Sequence, residues 1–334
     1  MSPCAPRTTI LRSVIALAAL ASIGAAPTPT ATPRPLQPLA SWNESRSKSA
    51  IAQFAQLLPA DGAPGTAPQS VRVAVFATEG VLWDTGVVSL ETAWAIDRVR
   101  SLAPQRPEWA STPPFSTLLG ADPNAVESLA QADLARLTAA AVAGLDSEEI
   151  RADVLAWVRS GHAARRSPED LTRPAMRELL SFLQSWQFRN YVVSDGPAEV
   201  TRALIEALYG LPPYRGIAPH SNAEVKGEAG GPRLVLTGEP APPPTGASRL
   251  RDVAQQIGIR PLIVAGNPEK DAPLFQWAYS GKRPFLGLLF RDAGSPAGAP
   301  FPRRRQDGPR GTWVSVVPLQ HWKPAAEGPA PPAK

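Results

Sequence analysis

The sequence contains very little cysteine: Cys4 is the single cysteine among 334 residues. It precedes the apolar run at residues 13–26, whereas the cysteine of a lipid anchor would follow such a run. Disulfides, thiolate metal sites and a cysteine nucleophile are therefore excluded from the chain beyond that run. We expect its stability to come from packing alone.

Histidine is scarce as well, and the three histidines, His162, His220 and His321, lie far apart along the chain. The sequence has no HExxH, GxSxG or GxGxxG element, the spacings typical of zinc peptidases, serine hydrolases and dinucleotide-binding proteins. For each histidine we predict a surface or packing role.

The hydrophobic run near the start of the sequence is short. Residues 13–26 (SVIALAALASIGAA) number 14, whereas crossing a bilayer takes about 20 residues. Arg7 and Arg12 precede the run and small residues end it, which is typical of a secretory signal. We predict a cleaved signal peptide over residues 1–26, and hence a protein exported to the periplasm or the extracellular space, without a transmembrane span after cleavage. An uncleaved anchor is the alternative, because Pro27 lies close to the cut.

The excess of positive charge is small. The formal net charge of +5 falls by two, to +3, if Arg7 and Arg12 leave with the signal. Such an excess argues neither for nor against nucleic-acid binding, and we predict no nucleic-acid partner.

Proline, by contrast, is abundant at both ends. Residues 27–38 (PTPTATPRPLQP) predict a stiff linker, and residues 324–334 form a proline-rich tail.

Five short apolar segments predict the buried strands of a parallel sheet. The first, residues 71–76 (VRVAVF), is nearly continuous and precedes a small-residue turn, as in a strand buried on both faces. The others are residues 190–193, 261–265, 285–290 and 313–317. Helical patterns separate most of them, as βαβ crossovers require, at residues 174–186, 198–208 and 247–257. We predict a doubly wound, Rossmann-like α/β core formed by residues 39–83 and 188–323.

More than a hundred residues separate the first two predicted strands and carry no strand-like alternation. Leu90–Leu102, Pro123–Leu145 and Asp146–Ser160 are predicted helices, and Asp146 and Glu149 stand at capping-box spacing. An insert placed directly after the first strand would lie over the carboxyl edge of the sheet. We therefore predict an inserted helical cap domain over residues 84–187.

The turn after the first predicted strand, residues 77–83 (ATEGVLW), carries a family resemblance. It resembles the haloacid dehalogenase (HAD) superfamily of phosphatases, whose signature there is an aspartate, any residue, a second aspartate, glycine, threonine or valine, and leucine. Residues 103–109 (APQRPEW), with Pro114 and Phe115 shortly after, resemble the helical cap of a secreted, phosphoserine-phosphatase-like branch. The resemblance covers about residues 39–323 and implies a HAD-like fold.

The resemblance also implies a covalent mechanism. In the family the first aspartate attacks phosphorus, and the second protonates the leaving group and then activates water. A lysine and Mg²⁺ neutralise the phosphoryl oxygens. The implied phosphate-binding positions are Ser194 and Arg249, and the implied Mg²⁺ positions are Asn267 and Asp271. Arg251 is an alternative to Arg249, because the register near residues 242–244 is open.

The family pattern is broken at its centre, where Ala77 stands in place of the nucleophile. A methyl group cannot attack phosphorus, and the loss of a nucleophile costs on the order of 10⁶ in rate. Glu79 keeps a carboxylate at the acid/base position, but its extra methylene displaces the proton donor by about 1 Å, to which catalysis is sensitive. Lys270 adds a cation beside the implied metal position, so weak Mg²⁺ binding is expected.

Several of these residues have a second interpretation. Glu79 is equally consistent with a solvated turn residue, and Ser194 with a helix cap ahead of Pro197. Asp195 is a further site candidate. Arg303–Arg305 could bind an anion, although a solvated loop is favoured.

Three hypotheses about function follow. The first is an exported, phosphatase-like protein without catalytic activity, which binds a small anion such as phosphate, or a protein partner, in a capped cleft. The second is a working Mg²⁺-dependent hydrolase in which Glu79, Asp84 or Asp195 replaces the lost aspartate. The third is an envelope interaction protein tethered by its proline-rich ends.

Overall fold

The computed structural model describes residues 39–58, 68–83, 88–122, 124–160, 171–228, 230–240, 244–291 and 311–323. Within these ranges the strands are β1 Val73–Ala77, β2 Arg189–Val193, β3 Gly216–Ile217, β4 Ala223–Glu228, β5 Gly231–Leu236, β6 Ile263–Gly266, β7 Phe285–Phe290 and β8 Gly311–Val316. The α-helices are α1 Arg46–Gln56, α2 Leu90–Leu102, α3 Phe115–Leu119, α4 Gln131–Val142, α5 Ser147–Arg159, α6 Pro174–Ser185, α7 Ala198–Tyr209, α8 Gly246–Ile257, α9 Ala272–Tyr279 and α10 Pro318–His321.

Six strands form one parallel sheet in the order β3-β2-β1-β6-β7-β8. The predicted doubly wound α/β fold is therefore confirmed. Strands are added on one side of β1 towards β3 and on the other towards β8, so the order reverses between β1 and β6. In such sheets the crevice at the carboxyl ends of the strands beside the reversal is where ligands bind.

The central strands are buried on both faces, and for this reason they can be recognised in the sequence as apolar runs. Residues Val73–Phe76 of β1 are fully buried, and every residue of β7 is buried. Burying a side chain such as that of Phe76 contributes about 2 kcal/mol. Strand β8, at the edge of the sheet, alternates between buried and exposed positions. The continuous burial of β1 and β7 and the partial exposure of β8 show that the core lies around the central strands of the sheet.

The described residues between β1 and β2 form helices joined by turns and short extended connections, and no strand apart from an isolated bridge between Glu79 and Trp83. The capping box predicted at Asp146 is present: its side chain accepts hydrogen bonds from the amides of Glu148 and Glu149. Helix α6 begins with Pro174 and buries the apolar side predicted for it before leading into β2. The boundaries predicted for a separate cap domain remain a prediction.

Some predicted elements were wrong in detail. Within residues 123–145 the structure has a 3₁₀ turn at Ala125–Ser128 and an α-helix only over α4, because Leu129 and Ala130 are extended. Strand β1 runs one residue further than predicted, so Ala77 ends the strand instead of opening the turn. The short strand β3 and the antiparallel β4–β5 ribbon were not predicted. In the described part of the chain no helix is both long and apolar enough to span a membrane.

Candidate functional site

A cavity of about 640 Å³ lies at the carboxyl edge of the sheet. Its charged side is formed by Glu79 after β1, Asp195 after β2, Arg249 of α8 and Lys270 before α9. The side chains of α2 and α4 line it from the helical region. The position is the one that the sheet order predicts, and its volume is in the range of small-molecule sites.

The loop after β1 is held by backbone contacts rather than by a functional side chain. Ala77 is 5% exposed and pairs with Val193 of β2. The carbonyl of Thr78 accepts hydrogen bonds from the amides of the next turn, which Gly80 closes at a φ of 70°. A glycine adopts that conformation without strain. The methyl group of Ala77, at the position where the resemblance implies a nucleophile, therefore ends β1 directly before this turn.

Glu79 and Lys270 form an ion pair at the mouth of the cavity. The carboxylate oxygen Oε2 of Glu79 lies 3.0 Å from Nζ of Lys270, and the two side chains are 25% and 58% exposed. Such a solvent-accessible pair contributes little to stability, at most about 1 kcal/mol. Its main consequence is that each charge is partly neutralised by the other.

Ser194 follows β2 and is buried, with all of its hydrogen-bonding capacity in use. Its hydroxyl donates to Oε1 of Glu91 at 2.6 Å. It accepts from the hydroxyl of Thr78 and from the amide of Gly196, both at 3.2 Å. A hydroxyl has one proton to donate. Ser194 could donate to a phosphate oxygen only by releasing Glu91.

Glu91 is a site residue that the sequence reasoning missed. It belongs to the first turn of α2, is fully buried, and also accepts a hydrogen bond from Thr201 at 3.2 Å. Its second oxygen, Oε2, has no partner among the described residues. Burial raises the pKa of Glu91, because the charged form is disfavoured away from water. An acidic residue in a first helical turn is ordinary, so the sequence carried no signal of this role.

Gly196 explains how Glu91 can reach Ser194. A Cβ atom placed on Gly196 would lie 2.5 Å from Cγ and 2.9 Å from Cδ of Glu91. Such separations are far below van der Waals contact, so only glycine allows this approach. The contact joins the start of α2 to the loop after β2.

Arg249 bridges two carboxylates at the base of the cavity. Its guanidinium contacts Asp195 and Asp271, and its Nε donates to Oδ1 of Asp195 at 3.1 Å. Burial alone would lower the pKa of Arg249, but the two carboxylates raise it above its ordinary value, so the side chain stays charged. Arg249 lines the cavity, whereas Arg251 is exposed and does not.

The residues at the implied Mg²⁺ position do not fit a metal ion. One oxygen of Asp271 contacts Arg249, and the other accepts the amide of Asn267 at 2.8 Å. The side-chain oxygen of Asn267 accepts the amides of Glu269 and Lys270. No group of three or more His, Cys, Asp or Glu side chains in the described ranges could hold a metal. Since the oxygens that Mg²⁺ prefers are already engaged, the structure supports no step through this ion.

Other candidates do not meet in the site. His220 and His321 do not line the cavity, and burial lowers the pKa of His321. His162, Asp84 and Arg303–Arg305 lie outside the residues that the structure describes.

The fold and the site together define a doubly wound α/β protein with a cavity at the sheet's reversal point. Among solved structures, a conserved protein of unknown function from Anaerococcus prevotii matches with 14% identity over 77% of this chain and 88% of its own, with a TM-score of 0.49. A phosphoserine phosphohydrolase-like protein from Francisella tularensis matches with 15% identity over 66% of this chain and 87% of its own, with a TM-score of 0.34.

A HAD family hydrolase from Salmonella enterica serovar Typhi matches with 16% identity over 67% of this chain and 64% of its own, with a TM-score of 0.34. Each of these TM-scores is below 0.5, and each match is a likeness to another protein. No protein-family model matches the chain, and no curated protein sequence matches it.

Proposed function

We propose that this protein is an exported, phosphatase-like binding protein that has no hydrolase activity and takes a small ligand in its cavity. The observation that carries the proposal is Ala77, whose methyl group stands at the end of β1 where the family resemblance implies the nucleophilic aspartate. Loss of a nucleophile costs on the order of 10⁶ in rate, or about 8 kcal/mol of barrier.

The remaining phosphate-binding positions support the same proposal. Ser194 donates its proton to Glu91, and Arg249 is held between Asp195 and Asp271. A transition state is stabilised by donors that are free to meet the developing charge. Here the chain's own carboxylates take up those donors, so restoring a nucleophile alone would not restore the whole site.

Hydrolysis of an aryl phosphate in the presence of Mg²⁺ tests the proposal. We expect no turnover by the native chain above that of a variant whose cavity is filled by Ala135→Trp. Ala77→Asp serves as the matched revertant, and activity in that variant alone is compatible with the proposal. Turnover by the native chain well above the filled variant would contradict it. Thermal unfolding of all three proteins establishes that each is folded.

A displaced carboxylate is the second candidate function, and one observation favours it. Asp195 is 25% exposed and lines the cavity, and its Oδ2 accepts no hydrogen bond from the described residues. If the native chain hydrolyses phosphate, Glu79→Ala, Asp84→Ala and Asp195→Ala identify the carboxylate. Activity that survives all three substitutions would exclude this mechanism.

Export is supported by the basic start and the 14-residue apolar run of the sequence. Mass spectrometry of the protein recovered outside the cytoplasm should give a chain that begins near Pro27. An intact N-terminus in the membrane fraction would favour an anchor instead. The proline-rich ends proposed as tethers, residues 27–38 and 324–334, lie outside the described residues, and a pull-down with and without them tests that alternative.

A further inference from the structure

The charges around the cavity do not suit an anion. Its described lining has three acidic side chains, Glu79, Asp195 and Glu239, against two basic ones, Arg249 and Lys270. A fourth carboxylate, that of Asp271, lies directly behind Arg249 and is 1% exposed. The field in the cavity is therefore negative overall, although a phosphatase-like site would be expected to attract phosphate.

Both cations are already paired. Arg249 is 8% exposed and contacts two carboxylates, and Nζ of Lys270 is 3.0 Å from Glu79. An incoming phosphate that captured Arg249 would leave the buried Asp271 without its partner. Breaking a buried ion pair in this way is strongly unfavourable. An anion therefore gains little binding free energy from these cations when it enters the cavity.

Two carboxylate oxygens on the same lining remain available. The contacts of Asp195 use Oδ1, and those of Glu79 use Oε2. Within the described residues, Oδ2 of Asp195 and Oε1 of Glu79 have no hydrogen-bond donor, and both side chains are 25% exposed. Oxygens of this kind are met best by a cationic donor, since charge-assisted hydrogen bonds are about twice as strong as neutral ones.

The α4 side of the cavity is mostly apolar, with Gln131 and Thr138 as its polar members. Leu134, Ala135, Ala139 and Val142 of α4 line it together with Val88. These residues recur at helical spacing on one side of α4, and a cavity of about 640 Å³ leaves room for a short hydrocarbon chain or ring as well as a head group.

We propose that the cavity binds a primary amine whose ammonium group meets Asp195 and Glu79 and whose apolar part lies against α4. This inference rests on the proposed ligand-binding function and replaces the anion expected from the family resemblance. The cations of the site serve to position the two carboxylates, and Asp195 and Glu79 determine which ligand class is accepted.

Isothermal titration of the full chain with n-octylammonium, octanoate, octyl phosphate and octanol tests the proposal. We expect n-octylammonium to bind at least about tenfold more tightly than the two anions and the alcohol. Shortening the chain from octyl to butyl should weaken binding by about fourfold per CH₂ group, because each group buried against α4 adds to the affinity.

Asp195→Asn should weaken n-octylammonium binding by about tenfold or more, and Glu79→Gln provides a second variant in case the first is unfolded. Asp252→Asn, on α8 but outside the cavity lining, is the charge-matched control and should leave affinity unchanged. Equal losses in the Asp195 and Asp252 variants would overturn the assignment.

Tighter binding of octyl phosphate or octanoate would also overturn the amine proposal while leaving ligand binding itself intact. The absence of binding by both n-octylammonium and its butyl analogue would overturn it as well. Displacement of n-octylammonium by MgCl₂ alone at low millimolar concentration would assign the free carboxylate oxygens to a metal instead. Phosphate hydrolysis is measured separately, so failure of the non-catalytic function is distinguishable from failure of the ligand class.

Discussion

The two sides of the cavity are stabilised in different ways. The floor, which comprises Glu79, Asp195, Arg249, Lys270 and Asp271, is a set of ion pairs at the carboxyl edge of the sheet. The helical wall, which comprises α2, α4 and α5, depends mainly on apolar packing and helix caps, and its ion pair between Arg98 and Asp153 is partly exposed. A buried ion pair fails when one partner is removed, whereas a packed helix loses stability in small steps.

The floor also shows how the polar groups of the cavity are engaged. The floor and the adjoining Ser194 carry a buried cation, a hydroxyl and several carboxylates. Each now satisfies another residue of the chain, and the wall contributes Glu91 to that network. Charged groups left unpaired in a protein interior are costly, which explains why the buried guanidinium of Arg249 is held between two carboxylates.

The largest expected effect is on the floor. Arg249→Leu removes the guanidinium between Asp195 and Asp271 and should lower the free energy of unfolding by about 3–5 kcal/mol. Urea unfolding at pH 7 measures the change. Arg249→Lys keeps the charge but loses the two-sided contact, so we expect a smaller loss. A loss below about 1 kcal/mol in Arg249→Leu would show that the floor does not depend on ion pairing.

Much of the fold could be predicted from the sequence because burial leaves a visible pattern. Strand β7 was predicted with its observed bounds, since both of its faces are covered and the run is purely apolar. The β4–β5 ribbon was missed because it buries little: Val225 and Leu234 pair across the two strands and are 71% and 56% exposed. Only Val235 and Leu236, at the end of β5, are buried, so the ribbon contributes little apolar sequence from which to predict it.

The site was only partly predictable for a different reason. Residue types at the strand ends can be recognised along the chain, but their partners depend on contacts across it. Ser194 and Glu91 are 103 positions apart, and Arg249 is 54 positions from Asp195. No local spacing indicates such pairs, and they decide whether a hydroxyl or a guanidinium is available to a ligand.

Glu91 breaks the division between floor and wall, because it comes from α2 and is buried beside Ser194. Its pKa is raised in the folded state, so the unfolded chain releases this proton at a lower pH than the folded chain does. Stability should therefore fall as pH rises above the unfolded value near 4.5, by up to about 1.4 kcal/mol per pH unit within the titration window.

Glu91→Gln tests this pH dependence, because the amide does not titrate. Urea unfolding of the variant between pH 4 and 8 should lack the fall seen in the native chain. Glu127→Gln, at an exposed position, is the control and should keep it. Identical pH profiles for the native and Glu91→Gln proteins would mean that Glu91 is equally ionised in both states.

Gly196→Ala tests the close contact between Gly196, beside the floor, and Glu91 of the wall. The new Cβ would lie within 2.5–2.9 Å of the Glu91 side chain, so we expect a loss of about 1–3 kcal/mol from overpacking. In the double variant Gly196→Ala, Glu91→Ala the contacts with Cγ and Cδ are removed and only the one with Cβ, at 2.8 Å, remains, so the loss from the glycine substitution should be clearly smaller. Additive losses in the two single variants would show that the close approach carries no energy.

The smallest effect is expected in the helical region itself. Asp146 caps α5 through the amides of Glu148 and Glu149, at 3.0 and 2.9 Å, and pairs with Arg233 of the β4–β5 ribbon. Asp146→Ala should therefore lower the free energy of unfolding by about 1 kcal/mol. Asp146→Asn keeps the cap and removes the charge, and since the Asp146 side chain is 22% exposed and its ion pair is screened by water, its cost should be smaller. Two outcomes would contradict the distinction between the two sides of the cavity: Asp146→Ala could destabilise the protein as much as Arg249→Leu, or the asparagine and alanine variants could lose the same stability. Either outcome would mean that the helical region depends on ion pairing, as the floor does.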